Sequence, residues 1–419
     1  MTERVDTIIV GAGQGGLATS YYLTRQGREH VILEQAQQAA EVWRSRWDSF
    51  TFITPNWMIQ LPEAGYQGAD PDGFMLRDDI VAYFEAYIER FKLPVRYGTR
   101  VKSVEPLPRE AGYLVCTAET EFEADNVVIA VGLHQQPRMP SFSANLPAKI
   151  CQLHSSAYRN PEALPPGAVL VVGSAQSGCQ IAEELYQQGR KVYLSVGQAG
   201  RVPRRYRGKD ITWWMNKIGL YDRSADKLPS PKAKYAGSVH GTGKDGGHTI
   251  NLHQFARDGV LLLGRIHDFQ AGRLILAPDL KENLAKADKF EVEIVKAING
   301  YIEKNELDFP LEALPEMSDG YQAEEILELD LKSAGISSII WATGYKFDFS
   351  LVDLPAFDED GYPRQQRGVT DFAGLYFVGL PFLHNSKSGL LFGVGGDAAH
   401  VAQHIEASRV SSPRLQQTA

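Results

Sequence analysis

Two short runs of small residues carry the first chemistry in this sequence. Gly11-x-Gly13-x-x-Gly16 follows the apolar run Thr7-Ile8-Ile9-Val10 and opens a helical stretch that reaches Gly27; a second strand, Val31-Ile32-Leu33, comes next. Glycine at 11 permits a tight turn, at 13 a close approach of backbone to a pyrophosphate, and at 16 close packing of helix on strand. The start of the helix offers unpaired N–H groups and a positive potential to an anion. Glu34 lies twenty-one residues beyond Gly13, just past the second strand. A carboxylate there accepts hydrogen bonds from both hydroxyls of an unphosphorylated ribose. A tight turn without a ligand is the alternative. Motif, strand–helix–strand context and acidic strand end together favour a dinucleotide.

The second run is Gly173-x-Ala175-x-x-Gly178, again between a strand, Val169-Leu170-Val171-Val172, and a helical stretch to Gly189, with Val192-Tyr193-Leu194 beyond. Ala175 puts a methyl group where the backbone approaches phosphate, so a looser fit is expected. The residue ending this second strand is Ser195, not an acid. Arg201, Arg204, Arg205, Arg207 and Lys209 follow. An uncharged strand end followed by arginines suits a ribose 2′-phosphate, with Arg204 and Arg205 as its expected ligands. The alternative is a solvated basic loop. By this logic the first turn takes FAD and the second NADPH, and a hydride passes from one cofactor to the other.

The elements that must position these turns form βαβ units, which build parallel sheets. The expected fold is therefore α/β, with two dinucleotide-binding Rossmann-type domains. Residues 1–162 read as the first part of the FAD domain, 163–330 as an inserted NADPH domain with helical and loop segments, and 331–419 as the second part of the FAD domain. Asn160-Pro161 and Leu164-Pro165-Pro166-Gly167 mark the linker. Residues 201–247 read as long loops or a lid, 279–334 as helical, and 408–419 as a frayed polar tail. At 419 residues the chain holds about two to three domains. Its net charge of −8 argues against a nucleic-acid partner. No apolar run nears the ~18 residues of a membrane helix, and the opening residues show no leader pattern. Cys116, Cys151 and Cys179 are widely spaced, which suits the reducing cytoplasm. Cys151-x-x-His154 is half a zinc motif without its complement, so no metal is expected.

These residues resemble the class B flavoprotein monooxygenases, the flavin-containing and YUCCA-like group, along nearly the whole chain. The carriers are the two glycine turns, Glu34, Val42-Trp43-Arg44, Thr54-Pro55-Asn56-Trp57 through Gln60-Leu61-Pro62, Ala342-Thr343-Gly344-Tyr345, and Val378-Gly379-Leu380-Pro381-Phe382-Leu383-His384 through Ser388-Gly389-Leu390. The resemblance implies an FAD domain interrupted by an NADPH domain. It also implies capture of O2 by reduced FAD as a C4a-hydroperoxyflavin, whose distal oxygen goes to a soft nucleophile in a small organic substrate. N- or S-oxygenation leads; oxidative decarboxylation of a 2-oxo acid and ketone oxygenation are variants. Such chemistry needs a dry pocket rather than a catalytic triad. A homodimer is left open. The chain departs from the family's Phe-x-Gly-x-x-x-His-x-x-x-Tyr linker, keeping His154 and Tyr158 but placing Ala148 and Ile150 at the first two positions.

Further site residues follow from the resemblance. Trp43 and Arg44 would pack beside the flavin, against the alternative of a core Trp and a surface Arg. Val101 would offer its backbone to adenine, and Gly132 would approach the FAD phosphates. Ala342, Thr343 and Gly344 would line the junction of the two cofactors. His384, Asn385 and Ser388 stand in a loop that would pass the isoalloxazine. His384, Asn385 and Asn56 are the flavin-proximal candidates, although Asn56 is out of register with the flavin-facing asparagine of animal-type members; no catalytic residue is fixed. Two rivals remain: an NADPH-dependent flavin oxidoreductase that passes electrons to an acceptor without oxygenation, and a noncatalytic FAD-binding sensor.

Overall fold

A computed structural model describes residues 2–108, 111–228, 230, 234 and 239–411; the expected frayed end beyond 411 lies outside the described residues. The chain opens with β1 (Thr2–Val10), α1 (Gln14–Arg25) and β2 (His30–Leu33). It continues through α2 (Arg77–Phe91), β3 (Val95–Arg96), β4 (Ser103–Pro106), β5 (Tyr113–Cys116) and β6 (Glu121–Ile129). These strands form one sheet in the order β3-β2-β1-β6-β5-β4. Strands β3, β2, β1 and β6 run parallel, so Val10 sits beside both Leu33 and Ile129. Parallel strands are covered on both faces, which is why Ile8 and Ile9 point to opposite sides yet are both fully buried.

The second sheet is wholly parallel. It contains β7 (Cys151–His154), β8 (Ala168–Val172), β9 (Val192–Ser195), β10 (Leu261–Leu263) and β11 (Ile336–Trp341), in the order β7-β11-β8-β9-β10. The helix α3 (Gln176–Gln187) crosses from β8 to β9. Helices α4 (Ile211–Lys217) and α5 (Leu280–Lys304) pack together through Trp214, Ile294 and Ile298, each buried. The strand β12 (Leu375–Phe377) returns to the first sheet beside β6, and α6 (Val394–Ser411) lies against α1.

This pairing moves the expected domain borders. Residues 151–154 and 336–341, assigned from sequence to the FAD domain, belong to the second sheet. Leu153 pairs with Ile340, and Val171 pairs with the same residue from the other side. The reason is strand pairing: β6 in the first sheet already has β1, β5 and β12, whereas β8 has an open edge that β11 fills. Interdomain crossings therefore fall at about 130–150 and 342–348. There Gln136–Pro137 pairs antiparallel with Tyr345–Lys346. Of the 201–247 stretch expected as long loops, residues 229, 231–233 and 235–238 lie outside the described residues, and the part at 205–217 is regular: it holds the hairpin Arg205–Tyr206/Lys209–Asp210 and α4, with the Trp214 indole N–H donating to the Tyr206 carbonyl at 2.7 Å.

Both glycine turns owe their shape to excluded side chains. A Cβ on Gly16 would lie 1.9 Å from the Gly11 carbonyl oxygen, and one on Gly178 would lie 1.8 Å from that of Gly173. At Gly13 a Cβ meets nothing within 4 Å. Gly178→Ala is thus expected to destabilise the protein by about 1–3 kcal/mol or more through overpacking against rigid backbone. Gly13→Ala, at φ −78°, should unfold at the wild-type urea concentration. Equal midpoints for the two variants would overturn this account.

Candidate dinucleotide sites and their junction

The first turn leaves β1 at the carboxyl end of the first sheet, where open parallel sheets hold ligands. The Gly11 N–H donates to the Leu33 carbonyl at 2.9 Å, tying the turn to β2. Gly13 caps α1 with no side-chain hydrogen bond, and the first turn of α1 has no acid. Its free N–H groups face the open space above Gly13, the arrangement a pyrophosphate requires. Glu34 stands at the rim: one carboxylate oxygen accepts from the Ala12 N–H at 2.7 Å, the other from the Ala36 N–H at 2.8 Å. Each oxygen keeps a second lone pair for a ribose hydroxyl. These residues fit FAD.

The second turn nearly repeats the first. Ala175 caps α3 at φ −79°, ψ −169°, against φ −78°, ψ −175° for Gly13, again without a side-chain cap. The added methyl therefore leaves the turn's backbone unchanged. Ser195 is buried and donates to the Gly264 carbonyl at 3.0 Å, and the Gly197 N–H donates to the Ser174 hydroxyl at 2.9 Å. Burial pushes the Cys179 thiol behind this turn upward, so it stays protonated.

The arginines of the run after Ser195 have different surroundings. Arg204 is 4% exposed; its guanidinium binds Asp210 at 2.5 Å and the Ile53 and Thr242 carbonyls. Four of the five N–H groups of this fork are thereby engaged within the protein, which ties Arg204 first of all to Asp210. Arg201 is likewise held by Asp288 and Glu291 of α5, each at 2.6 Å. Arg205 is exposed, with its N–H groups on the carbonyls of Gly246 and Gly247.

Among the other expected site residues, Arg44 pairs with Glu85 of α2, while Trp43 packs edge-on against Phe52 at 5.0 Å. Val101 is buried in the core around β4 and β5, and Gly132 faces open space. Ala342, Thr343 and Gly344 follow β11: the Ala342 N–H donates to the Val172 carbonyl, Thr343 to the Arg138 carbonyl, and the Gly344 carbonyl lies 3.0 Å from His154 Nε2. Ser388 is a loop clamp, its hydroxyl accepting from the His384 and Asn385 N–H groups at 3.1 Å. Asn385 Oδ1 accepts from the Lys387 N–H, and His384 is half exposed with Nδ1 4.0 Å from Asp397. Asn56 is 5% exposed; its amide donates to the Asp70 carbonyl while its Oδ1 has no partner. The three flavin-proximal candidates thus come from two segments, and only Asn56 keeps a buried polar atom free.

Sequence reasoning missed an aromatic wall. Trp57 lies 6.3 Å from Phe392, which lies 5.2 Å from Tyr221. The three come from the FAD-domain loop, the segment before α6 and the NADPH-domain insert. Ser386 fastens that insert by hydrogen bonds to Leu220 and Arg223. Outside the wall, Trp57, Asp72, Arg205, Lys209, Trp213 and Lys217 line a cleft of about 460 Å³ between the two domains. Only contact across long sequence separations reveals this wall.

Two dinucleotide turns on one chain, facing a shared interdomain junction, define a pyridine-nucleotide-dependent flavoprotein. Comparison with known proteins agrees. A family model described as pyridine nucleotide-disulphide oxidoreductase matches residues 8–216. An uncharacterized CzcO-like oxidoreductase of Geobacillus kaustophilus is 33% identical over 97% of this chain and 99% of its own. The indole-3-pyruvate monooxygenase YUCCA4 of Oryza sativa is 26% identical, covering 95% of this chain and 86% of its own. The solved flavin-containing monooxygenase of Stenotrophomonas maltophilia shares the fold with a TM-score of 0.64 at 18% identity, over 97% of this chain and 99% of that one. The chain belongs to the family of the CzcO-like oxidoreductases, and it is an enzyme with the fold of the flavin-containing monooxygenases.

Removing one member of a buried ion pair strands the other. Arg204→Ala is expected to cost about 3–5 kcal/mol of stability, and Asp210→Asn in the same background should add little. Chemical denaturation of the two singles and the double tests this. A selective loss of NADPH affinity at wild-type stability would instead restore Arg204 to the 2′-phosphate.

Proposed function

We propose that the protein uses NADPH and O2 to oxygenate a nitrogen or sulfur atom of a small organic substrate. The observation that carries this reading is the Trp57–Phe392–Tyr221 wall, closed where the NADPH-domain insert docks on the FAD domain. FAD, held at the first turn, would supply the redox chemistry, with NADPH as the source of its electrons. The chain's own residues bind, orient and exclude water. The starts of α1 and α3 receive the two pyrophosphates, and Glu34 orients the flavin nucleotide's ribose. Ser388 fixes the loop before α6. The aromatic wall keeps water from the reduced cofactor, the condition oxygenation needs and a simple electron carrier does not. Asn56 Oδ1 supplies one buried acceptor beside that wall. No side chain is required as nucleophile: the three cysteines are free thiols and Cys179 is held protonated. Free thiols suit a reducing compartment, the cytoplasm.

The test is anaerobic reduction by NADPH in a stopped-flow instrument, then mixing with O2 without substrate. A spectrum that is neither reduced nor oxidised flavin, lasting seconds or longer, is expected. Immediate return to oxidised flavin, with or without amines and sulfides present, supports the oxidoreductase that hands electrons on. Trp57→Ala and Phe392→Ala should shorten the lasting phase at least tenfold and raise hydrogen peroxide release while FAD content holds. An unchanged lifetime in both variants sinks the role given to the wall.

A further inference from the structure

Arg46 is a buried cation without an acid. It is 8% exposed, and its guanidinium carbon stands over the rings of Trp43 at 5.9 Å and Phe50 at 5.8 Å. Nη2 donates to His134 Nε2 at 3.0 Å, the Tyr345 hydroxyl is a second partner, and the buried Nε has none. Among the described residues no carboxylate pairs with it. The contrast with other buried arginines is direct: Arg28 has Asp6 and Glu406, Arg201 has Asp288 and Glu291, Arg204 has Asp210. A cation removed from water and left among neutral groups is strongly disfavoured. His134 does not ease this, because desolvation and the Arg46 charge hold it near 3, neutral at any ordinary pH.

The position of Arg46 says which anion is missing. His134 stands two residues beyond Gly132, on the segment leaving β6; the Ala130 carbonyl on that segment is the atom that forbids a side chain at Gly11. Tyr345 follows Ala342-Thr343-Gly344, leaving β11; the Ala342 carbonyl is the atom that forbids one at Gly173. The His134 and Tyr345 rings meet edge-on at 4.8 Å, and Tyr345 meets His154 at 4.9 Å. The cation is therefore clamped between the two loops that border the two glycine turns.

We infer that Arg46 is the counter-cation for a dinucleotide pyrophosphate at the junction of the turns, its planar fork held in place by His134 and Tyr345. The inference rests on reading those turns as the FAD and NADPH sites. The shared ligand chemistry is a pyrophosphate, and its source is either FAD or NADPH. A guanidinium suits it because two parallel N–H groups match two phosphate oxygens.

The experiment uses the flavin-loaded enzyme and Arg46→Gln. Two quantities are read: the rate of FAD release, followed by flavin fluorescence on dilution, and the NADPH concentration giving half-maximal anaerobic reduction. If FAD is the source, release accelerates at least tenfold; if NADPH is the source, the half-maximal concentration rises at least tenfold with FAD retained. Arg46→Lys, which keeps the charge but loses the fork, should fall between wild type and Arg46→Gln, and it carries the test if Arg46→Gln does not fold. Wild-type values for both quantities in a folded variant, or a lowered melting temperature alone, overturn the inference. Wild-type enzyme that NADPH fails to reduce would instead overturn the reading of the turns.

Discussion

The architecture depends on one steric constraint: at two places a helix must start so close to a strand that no Cβ fits. Gly16 and Gly178 each sit against the carbonyl of the glycine that opens the turn, at distances no side chain tolerates. That proximity points the free N–H groups of α1 and α3 outward from the carboxyl ends of their sheets. Anion binding is then a property of backbone geometry and of aligned peptide dipoles, and it needs no charged side chain. The third position of each motif is under a weaker constraint. Gly13 faces open space, and Ala175 adopts nearly the same backbone angles, so a methyl group is tolerated there.

Charge is distributed around the turns by burial rather than by residue type. Arginines 201, 204 and 205 lie within five residues of one another, yet two are buried and paired with carboxylates and one is exposed. Desolvating a guanidinium is offset only by a well-placed acid and further acceptors, so the arginines nearest the core are the ones with structural partners. Arg46 follows the opposite pattern: buried, neutral-partnered and placed between the turns. Glu34 shows a third arrangement, a carboxylate pinned by two backbone amides while keeping acceptor capacity on its open side.

The junction is assembled by long-range contacts. The two chain crossings are zipped by a short antiparallel pair, and the insert before α5 is fastened to the segment before α6. These contacts bring Trp57, Tyr221 and Phe392 into one wall from three distant stretches. A wall of large, stiff aromatic rings excludes water at low cost in side-chain entropy, which suits a reaction in which water is the competitor.

Much of this was legible in the sequence because it is local. The glycine spacings, the apolar strands before them and the acid or serine after them specify two βαβ units, since strand–turn–helix geometry is set within about thirty residues. The family resemblance of Trp43-Arg44 and Ala342-Thr343-Gly344 is equally a matter of short runs. What the sequence could not decide was partnership. The strands 151–154 and 336–341 carry no local mark of their sheet, and only pairing assigned them: 336–341 lies between β8 and 151–154. The basic run after Ser195 looked like one phosphate site, but the choice among arginines depended on Asp210, Asp288 and Glu291, whose positions only packing determines. Residue type and spacing set which backbone turns can form; the tertiary structure alone decided which charges are buried and paired, because desolvation depends on every neighbour at once.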